Sequence, residues 1–363
     1  MWSTVSVCRY LRRLVFLLLS TSLLVCLLGP TTSPLMLRVS EREQPIRGTI
    51  VAVRGLFAPE IFPIDLATGR LETPIAVPIV PTGVFIAPEG EAFIFRVLGS
   101  EIIPVSLARR RVERPIHVGG RIDNVALSPD GHLLYVTIGE HTLAAISTES
   151  LRVQFRMELP AGVGDLAVDP SGKTAYVDSS AFITERLPHV YVGGNAISVV
   201  NLRRRVVSRV FRLPGIAEVA GVEVLPHELL AASESLTTSW TTLYEVSLPT
   251  MRIVVQRALT SIVNGFSVAP NGREAYLNVG TNSLREVDLP NLSVRRTFVV
   301  GVDPAGALFT PGGYYMVVAT FSGVVIVDLS DCRVVQRIEL PPEAGLGGAV
   351  YRGAVGLALV PGS

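Results

Sequence analysis

The chain is predicted to be an all-β, seven-bladed β-propeller of four-stranded antiparallel blades, and three observations carry that expectation. Turn prolines that follow apolar runs recur at Pro88, Pro129, Pro170, Pro226, Pro270, Pro311 and Pro361, separated by 41, 41, 56, 44, 41 and 50 residues. A second set of anchors runs in phase with the first: Ile64, Val105, Ile146, Val200, Val246, Val287 and Val327. Each is followed seven residues later by another aliphatic, namely Leu71, Val112, Val153, Val207, Ile253, Val294 and Val334. Finally, the two ends of the repeat array are incomplete in complementary ways. Units of about forty residues that cannot bury both faces alone must stack on their neighbours, which is the logic of a propeller.

Taken in order, each unit reads as four strands. The residues four and two places before the proline are apolar, as in Val125/Leu127 and Phe266/Val268, which is strand periodicity with one face packed. A Gly two places after the proline closes the turn at Gly90, Gly131, Gly172, Gly272 and Gly313, where positive φ is needed. The stretch Asn124 to Val153 is the plainest copy. Ala354 to Val360 supplies an innermost strand, and Gly48 to Val77 supplies three strands without one. Together they form a composite seventh blade that closes the ring and leaves no open sheet edge between its ends.

The N-terminus reads differently. Arg9, Arg12 and Arg13 precede an apolar run from Leu14 to Leu28 and then Gly29-Pro30, the three-part plan of a secretory signal. No Ala-x-Ala site follows, so an uncleaved membrane anchor is the rival reading, and Leu23-Leu24-Val25-Cys26 matches a lipoprotein box only loosely. The expected organisation is a signal peptide or anchor over 1–30, a linker over 31–47 and the propeller over 48–363. Export to the periplasm or cell exterior follows from that plan, with membrane contact only through the N-terminal segment if it stays uncleaved. The formal net charge is +1, which gives no field to recruit nucleic acid. Lys173 is the only lysine, which reads as compositional bias. Cys332 is the one cysteine outside the N-terminal segment, so the body has no internal disulfide.

Tyr135-Val136-Thr137, Tyr176-Val177 and Tyr276-Leu277-Asn278-Val279, with the Pro-Asp-Gly and Pro-Asn-Gly turns nearby, resemble the bacterial YVTN-type β-propeller repeat. Val300-Gly301-Val302-Asp303-Pro304-Ala305-Gly306 is similar to that repeat's opening phrase. The resemblance covers roughly residues 48 to 363 and is weakest around Pro226, where the turn Gly is missing. It implies a fold shared by surface-layer and lactonase-like propellers, and no single activity. WD repeats fit worse, since no Trp-Asp dipeptide occurs, and the quinoprotein-like phrase Ile64 to Arg70 appears once without its docking Trp.

Function is expected where the repeat is broken. The spacing places one insertion around 179–195, between the second and third strands of a blade. Another lies around 341–353, before the closing innermost strand. Both connections open on the face where the innermost strands begin, and loops that vary on a rigid scaffold are where binding sits. Most innermost strands begin with Gly: Gly83, Gly221, Gly265, Gly306 and Gly356. The departures are Asn124 and Asp165, with Asp123 and Asn264 one step earlier. Glu223 occupies a place that is otherwise Phe, Ala, Ser or Leu. These five residues form the expected ligand-binding set at the channel mouth. A ring of carboxylates and amides is the oxygen set that Ca²⁺ prefers, whereas the bland reading is that a wet channel tolerates polar groups.

The partner-binding candidates are Arg186, His189, Tyr191, Trp240 and Tyr351, all in or near lengthened loops of that face. Trp240 reads first as filler between blades and second as a recognition aromatic. No zinc spacing, nucleophile elbow or P-loop occurs, so no catalytic residue is named. The leading expectation is an exported, non-catalytic scaffold that binds a protein or glycan. The alternative is a lactonase-like or metal-dependent hydrolase working through the channel residues. A subunit of a periplasmic redox complex is a third reading, without a cofactor-attachment motif behind it.

Overall fold

The computed structural model describes residues 45–54, 59–160, 162–179, 182–183, 191–192, 194–214, 217–235, 240–344, 350–351 and 356–361. Two compact units are present, Ile46–Ala181 with Gly193–Ser363, and Met1–Pro45 with Phe182–Val192. The larger is all-β, and the one helix among its described residues is a three-residue 3-10 turn, Leu289–Asn291. Of the smaller, the described part includes a two-stranded ribbon, Phe182–Ile183 paired with Tyr191–Val192.

Seven antiparallel sheets form the propeller. Blade 1 runs Gly83–Ile86, Glu91–Phe95, Glu101–Ser106, Arg111–Val112, and blade 2 Ile122–Leu127, Leu133–Ile138, Thr142–Ser147, Val153–Glu158. Blade 3 is Leu166–Val168, Thr174–Asp178, Ala196–Asn201, Val206–Arg212, and blade 4 Ala217–Val224, Glu228–Ser235, Thr241–Ser247, Arg252–Ala258. Blade 5 is Val263–Val268, Glu274–Val279, Ser283–Asp288, Ser293–Val299, and blade 6 Ala307–Phe309, Tyr315–Thr320, Gly323–Asp328, Arg333–Glu339. Blade 7 is composite: Gly356–Leu359 pairs with Thr49–Arg54, which pairs with Glu60–Asp65 and so with Arg70–Leu71. The ring therefore closes as the sequence predicts.

The anchors now have a physical meaning. Each anchor and its aliphatic seven residues later are cross-strand partners between third and outer strands, from Ile64↔Leu71 through Val287↔Val294 to Val327↔Val334. The turn between them carries a positive-φ residue in every blade: Gly69, Arg110, Leu151, Arg205, Met251, Leu292 and Cys332. Six of these seven are not glycine, although each L-residue there costs about 1 kcal/mol relative to glycine. Met251, Leu292 and Cys332 are buried, and their side chains plug the blade edge in compensation.

Burial is organised by seams, not by blades. Seven clusters of buried apolar side chains occur, and each draws on two adjacent blades. Phe62 and Ile64 of blade 7 meet Val317 and Ile326 of blade 6, while Val51 and Ile61 on the other side meet Ile94 and Ile103 of blade 1. Burying one such side chain contributes roughly 1.5–3 kcal/mol, so a blade gains its stability from having both neighbours.

Both insertions leave the ring at the mouth face, where the inner strands begin. The first departs at Ser179, whose Oγ accepts N–H bonds from Gly194 (3.2 Å) and Ala196 (3.0 Å) and so pinches its root. The second contains a ribbon, Glu343–Ala344 paired with Val350–Tyr351. Its root is held by Arg54 of blade 7, which donates to the Pro341 carbonyl, pairs with Glu60 and lies 4.9 Å over the Phe62 ring. Gly48 lies at the opposite face: its carbonyl accepts from Leu66 N at 2.9 Å, and the Thr49 carbonyl next to it accepts from Val360 N at 2.8 Å.

Candidate functional site at the channel mouth

The mouth is built from the first residues of the inner strands, and a short polar relay links three blades there. Asn124 of blade 2 donates its amide to Asp165 Oδ1 of blade 3. Asp165 Oδ1 also accepts from Leu166 N (2.9 Å), and Oδ2 accepts from Val222 N of blade 4 (3.3 Å). Gly221 makes this reach workable, because a Cβ there would lie 3.3 Å from Asp165 Oδ2 and 3.1 Å from the Phe266 ring. The polar residue two places after the motif tyrosine ties these starts down. Thr137 Oγ1 accepts from Asn124 N (2.8 Å) and donates to Gly164 O of the next blade (3.1 Å). Asp178 accepts from Asp165 N at 2.7 Å, and Asn278 donates to Pro304 O of the following blade. The Tyr-x-Thr/Asp/Asn pattern is thus an inner-strand tether, and in blades 2 and 5 it reaches the next blade.

Behind the relay lies a cavity of about 380 Å³ along the inner strands of blades 1 to 4, lined by Phe85, Asn124, Asp165, Val222 and Glu223 among others. Ala126 and Ala167 also line it, small where blade 1 has Phe85 and blade 4 has Glu223. The Glu223 carboxyl makes no hydrogen bond or ion pair among the described residues. Burial first, and then the Asp165 carboxylate, push its carboxyl up to about 7. Asp165 serves structure through its N–H donors, while Glu223 is a half-buried acid able to exchange a proton near neutrality.

Of the five residues expected at the mouth, Asn124, Asp165 and Glu223 are brought together, and Asp123 and Asn264 are not among the cavity's lining. A bulge explains the difference. Pairing slips between Ile122 and Asn124 and again between Val263 and Gly265, so Asp123 and Asn264 are the extra residues. Asp123 meets Arg121 at 3.0 Å, and burial pushes its carboxyl up to about 6 against that pairing. Asn264 is exposed. Trp240 leaves half its surface in solvent at the start of the third strand of blade 4. Tyr191 and Tyr351 stand on the two insertion ribbons, whereas Arg186 and His189 lie outside the described residues.

The Asp165 oxygens are engaged by N–H donors, and among the described residues no three His, Cys, Asp or Glu side chains converge. One pair escaped the sequence reading, Glu245 with Glu228 on neighbouring strands of blade 4. A signal was present: Glu245 and Glu286 sit immediately before their anchors, where the other blades have Pro63, Pro104, Ala145, Val199 and Ile326.

No family model matches the sequence, and no curated protein gives a significant match. Among solved structures the chain is similar to hydrazine synthase of Kuenenia stuttgartiensis, with 19% identity over 71% of this chain and 80% of that chain and a TM-score of 0.58. A likeness at that identity speaks for the β-propeller fold alone.

Proposed function

We propose that this chain is an exported, non-catalytic β-propeller scaffold of the YVTN-type repeat family that binds a protein or glycan partner through the mouth face. One observation carries the reading. The ring's two long insertions both depart from that face, each with a two-stranded ribbon, while the described turns of the opposite face are short. The half-exposed Trp240 follows a lengthened connection on the same face and offers a recognition aromatic. In the same reading, the segment before Gly48 directs export or holds the opposite face to a membrane; sequencing the mature N-terminus distinguishes the two. The partner test is crosslinking in the native host, comparing the intact chain with one whose residues 181–192 are replaced by a short Gly-Ser link and with Trp240→Ala. Loss of the crosslinked species with an unchanged melting temperature is expected. Undiminished crosslinking in both variants would remove the basis for the proposal.

A second reading is favoured by Glu223, whose carboxyl near 7 suits a general acid–base group in a small hydrolase site. Lactone hydrolysis by the purified chain, abolished by Glu223→Gln but retained by Trp240→Ala, would replace the scaffold reading with the enzymatic one.

A further inference from the structure

The face opposite the mouth holds a second concave site, off the ring axis between blades 2 and 3. Its volume is about 510 Å³, and its walls include His132 and Phe155 of blade 2 with Lys173, Arg203 and Arg205 of blade 3. No carboxylate is among its lining residues. Several surface arginines elsewhere meet acids, as in Arg110–Glu72 at 3.6 Å, Arg111–Glu113 at 2.7 Å and Arg295–Asp288 at 2.5 Å. Lys173, Arg203 and Arg205 make no ion pair among the described residues. The protein's one lysine thus stands in a cleft with two uncompensated arginines.

The cleft is also ordered. Arg205 occupies the positive-φ position of its turn (φ 58°) and its guanidinium lies 4.8 Å over the Phe155 ring. That contact holds the guanidinium in the cleft, where its N–H donors are the groups to meet a ligand. Lys173 is placed by the preceding turn, where Asp169 Oδ1 accepts its backbone N–H at 2.8 Å. We propose that this inter-blade cleft binds a phosphate or sulfate group carried on a larger molecule. Planar guanidinium donors beside an ammonium suit a tetrahedral oxyanion, and the volume exceeds what the anion alone would fill.

The full chain would be titrated with inorganic phosphate and with sulfate by calorimetry at low salt. In parallel it would be mixed with phosphatidylcholine vesicles with and without phosphatidylglycerol. Lys173→Gln and Arg203→Gln change exposed side chains, and each is expected to weaken binding about tenfold, the worth of one charge-assisted hydrogen bond. Arg204→Gln, in the same turn but outside the cleft, is expected to leave binding unchanged. Because all variants share the N-terminal segment, differences between them on vesicles read the cleft alone. Saturable binding of the free anions, lost in the two cleft variants, supports a soluble phosphate or sulfate ester. Binding only to phosphatidylglycerol vesicles, lost in the same variants, assigns the site to a lipid headgroup. No binding in either arm, or equal weakening by Arg204→Gln, overturns the proposal.

Discussion

Blades 4 and 5 place a glutamate at the same point of their third strand and solve the resulting problem in opposite ways. Glu286 of blade 5 is 2% exposed and lies opposite Arg296, whose Nε meets it at 2.5 Å; Arg295 approaches to 3.6 Å. Cys332 of the next blade donates its Sγ–H to the same carboxylate at 3.4 Å, and burial together with Glu286 pushes that thiol up to about 12. Glu245 of blade 4 is 4% exposed but lies opposite Val255, with Val254 where blade 5 has Arg295. One carboxylate oxygen of Glu245 has no hydrogen-bond partner. Burial, followed by the neighbouring Glu228, pushes its carboxyl up to about 7. A repeated position can therefore be kept by a charge with its counter-ions or by a proton, and the choice is made on the adjacent outer strand.

The contrast is tested most strongly by pH. Glu245 binds its proton more tightly in the folded chain than at the unfolded value of 4.5. Its contribution to stability is thus fully present below that value and is lost as pH rises through about 7. The loss between pH 5 and pH 8.5 is expected to be on the order of 2 kcal/mol for the Glu245–Glu228 pair together, since each tenfold change in proton affinity on folding corresponds to about 1.4 kcal/mol. Glu223 titrates in the same window, so the informative quantity is the difference between the wild type and Glu245→Gln in urea unfolding at each pH. Parallel pH curves for the two proteins would show that Glu245 is ionised and otherwise compensated.

Much of the fold was legible in the sequence because its repeat rests on local chemistry. The anchors and their partners are seven residues apart and flank one tight turn, so a single chain segment displays both. The composite blade was legible by subtraction, from what each end lacked. Bulges were not: Asp123 and Asn124 are adjacent, and only the slip in pairing decides that Asn124 lines the cavity and Asp123 does not. Thr137 stood out as part of a motif, yet one of its acceptors, Gly164 O, belongs to the next blade. The basic cleft was hidden for the same reason, since Phe155 and Arg205 meet only when two blades stack. Repeats expose what happens within a unit; sites at seams require the stacking.

Removing the counter-ion from blade 5 is the next largest perturbation. Arg296→Ala leaves Glu286 buried with Arg295 as its remaining ion-pair partner, and loss of a partner from a fully buried pair costs about 3–5 kcal/mol. The Arg296 side chain is 40% exposed, so solvent screening brings the expected loss to about 2 kcal/mol. Chemical denaturation at pH 8 measures it, and Arg296→Met, which keeps an unbranched stem without the charge, should lose a similar amount. Full stability in Arg296→Met would mean that Arg296 acts through packing alone.

Transplanting the counter-ion runs the comparison backwards. Val255→Arg in blade 4 puts a guanidinium opposite Glu245, as Arg296 stands opposite Glu286. The carboxyl of Glu245 should fall towards the ordinary range, and the variant should gain about 1 kcal/mol over wild type at pH 8.5, as expected for a charge-assisted hydrogen bond partly open to water. At pH 5, where Glu245 is protonated in the wild type, the gain should vanish.

The smallest effect belongs to the bulged residue beside it. Val254 is 57% exposed, and Val254→Arg recreates the place of Arg295, whose own side chain is 48% exposed where it meets Glu274, Glu286 and Asp288. Blade 4 offers Glu228 and Glu245 at the first two of these places, but Ser247 at the third. An exposed pair of this kind contributes about 0.2–1 kcal/mol, and the missing third carboxylate puts the expectation at the lower end. The gain should appear at low ionic strength and fade in ~1 M salt, where charges are screened within about 3 Å. A gain that survives high salt would instead come from the arginine stem covering the blade edge, making the arginines of blade 5 as much packing as charge.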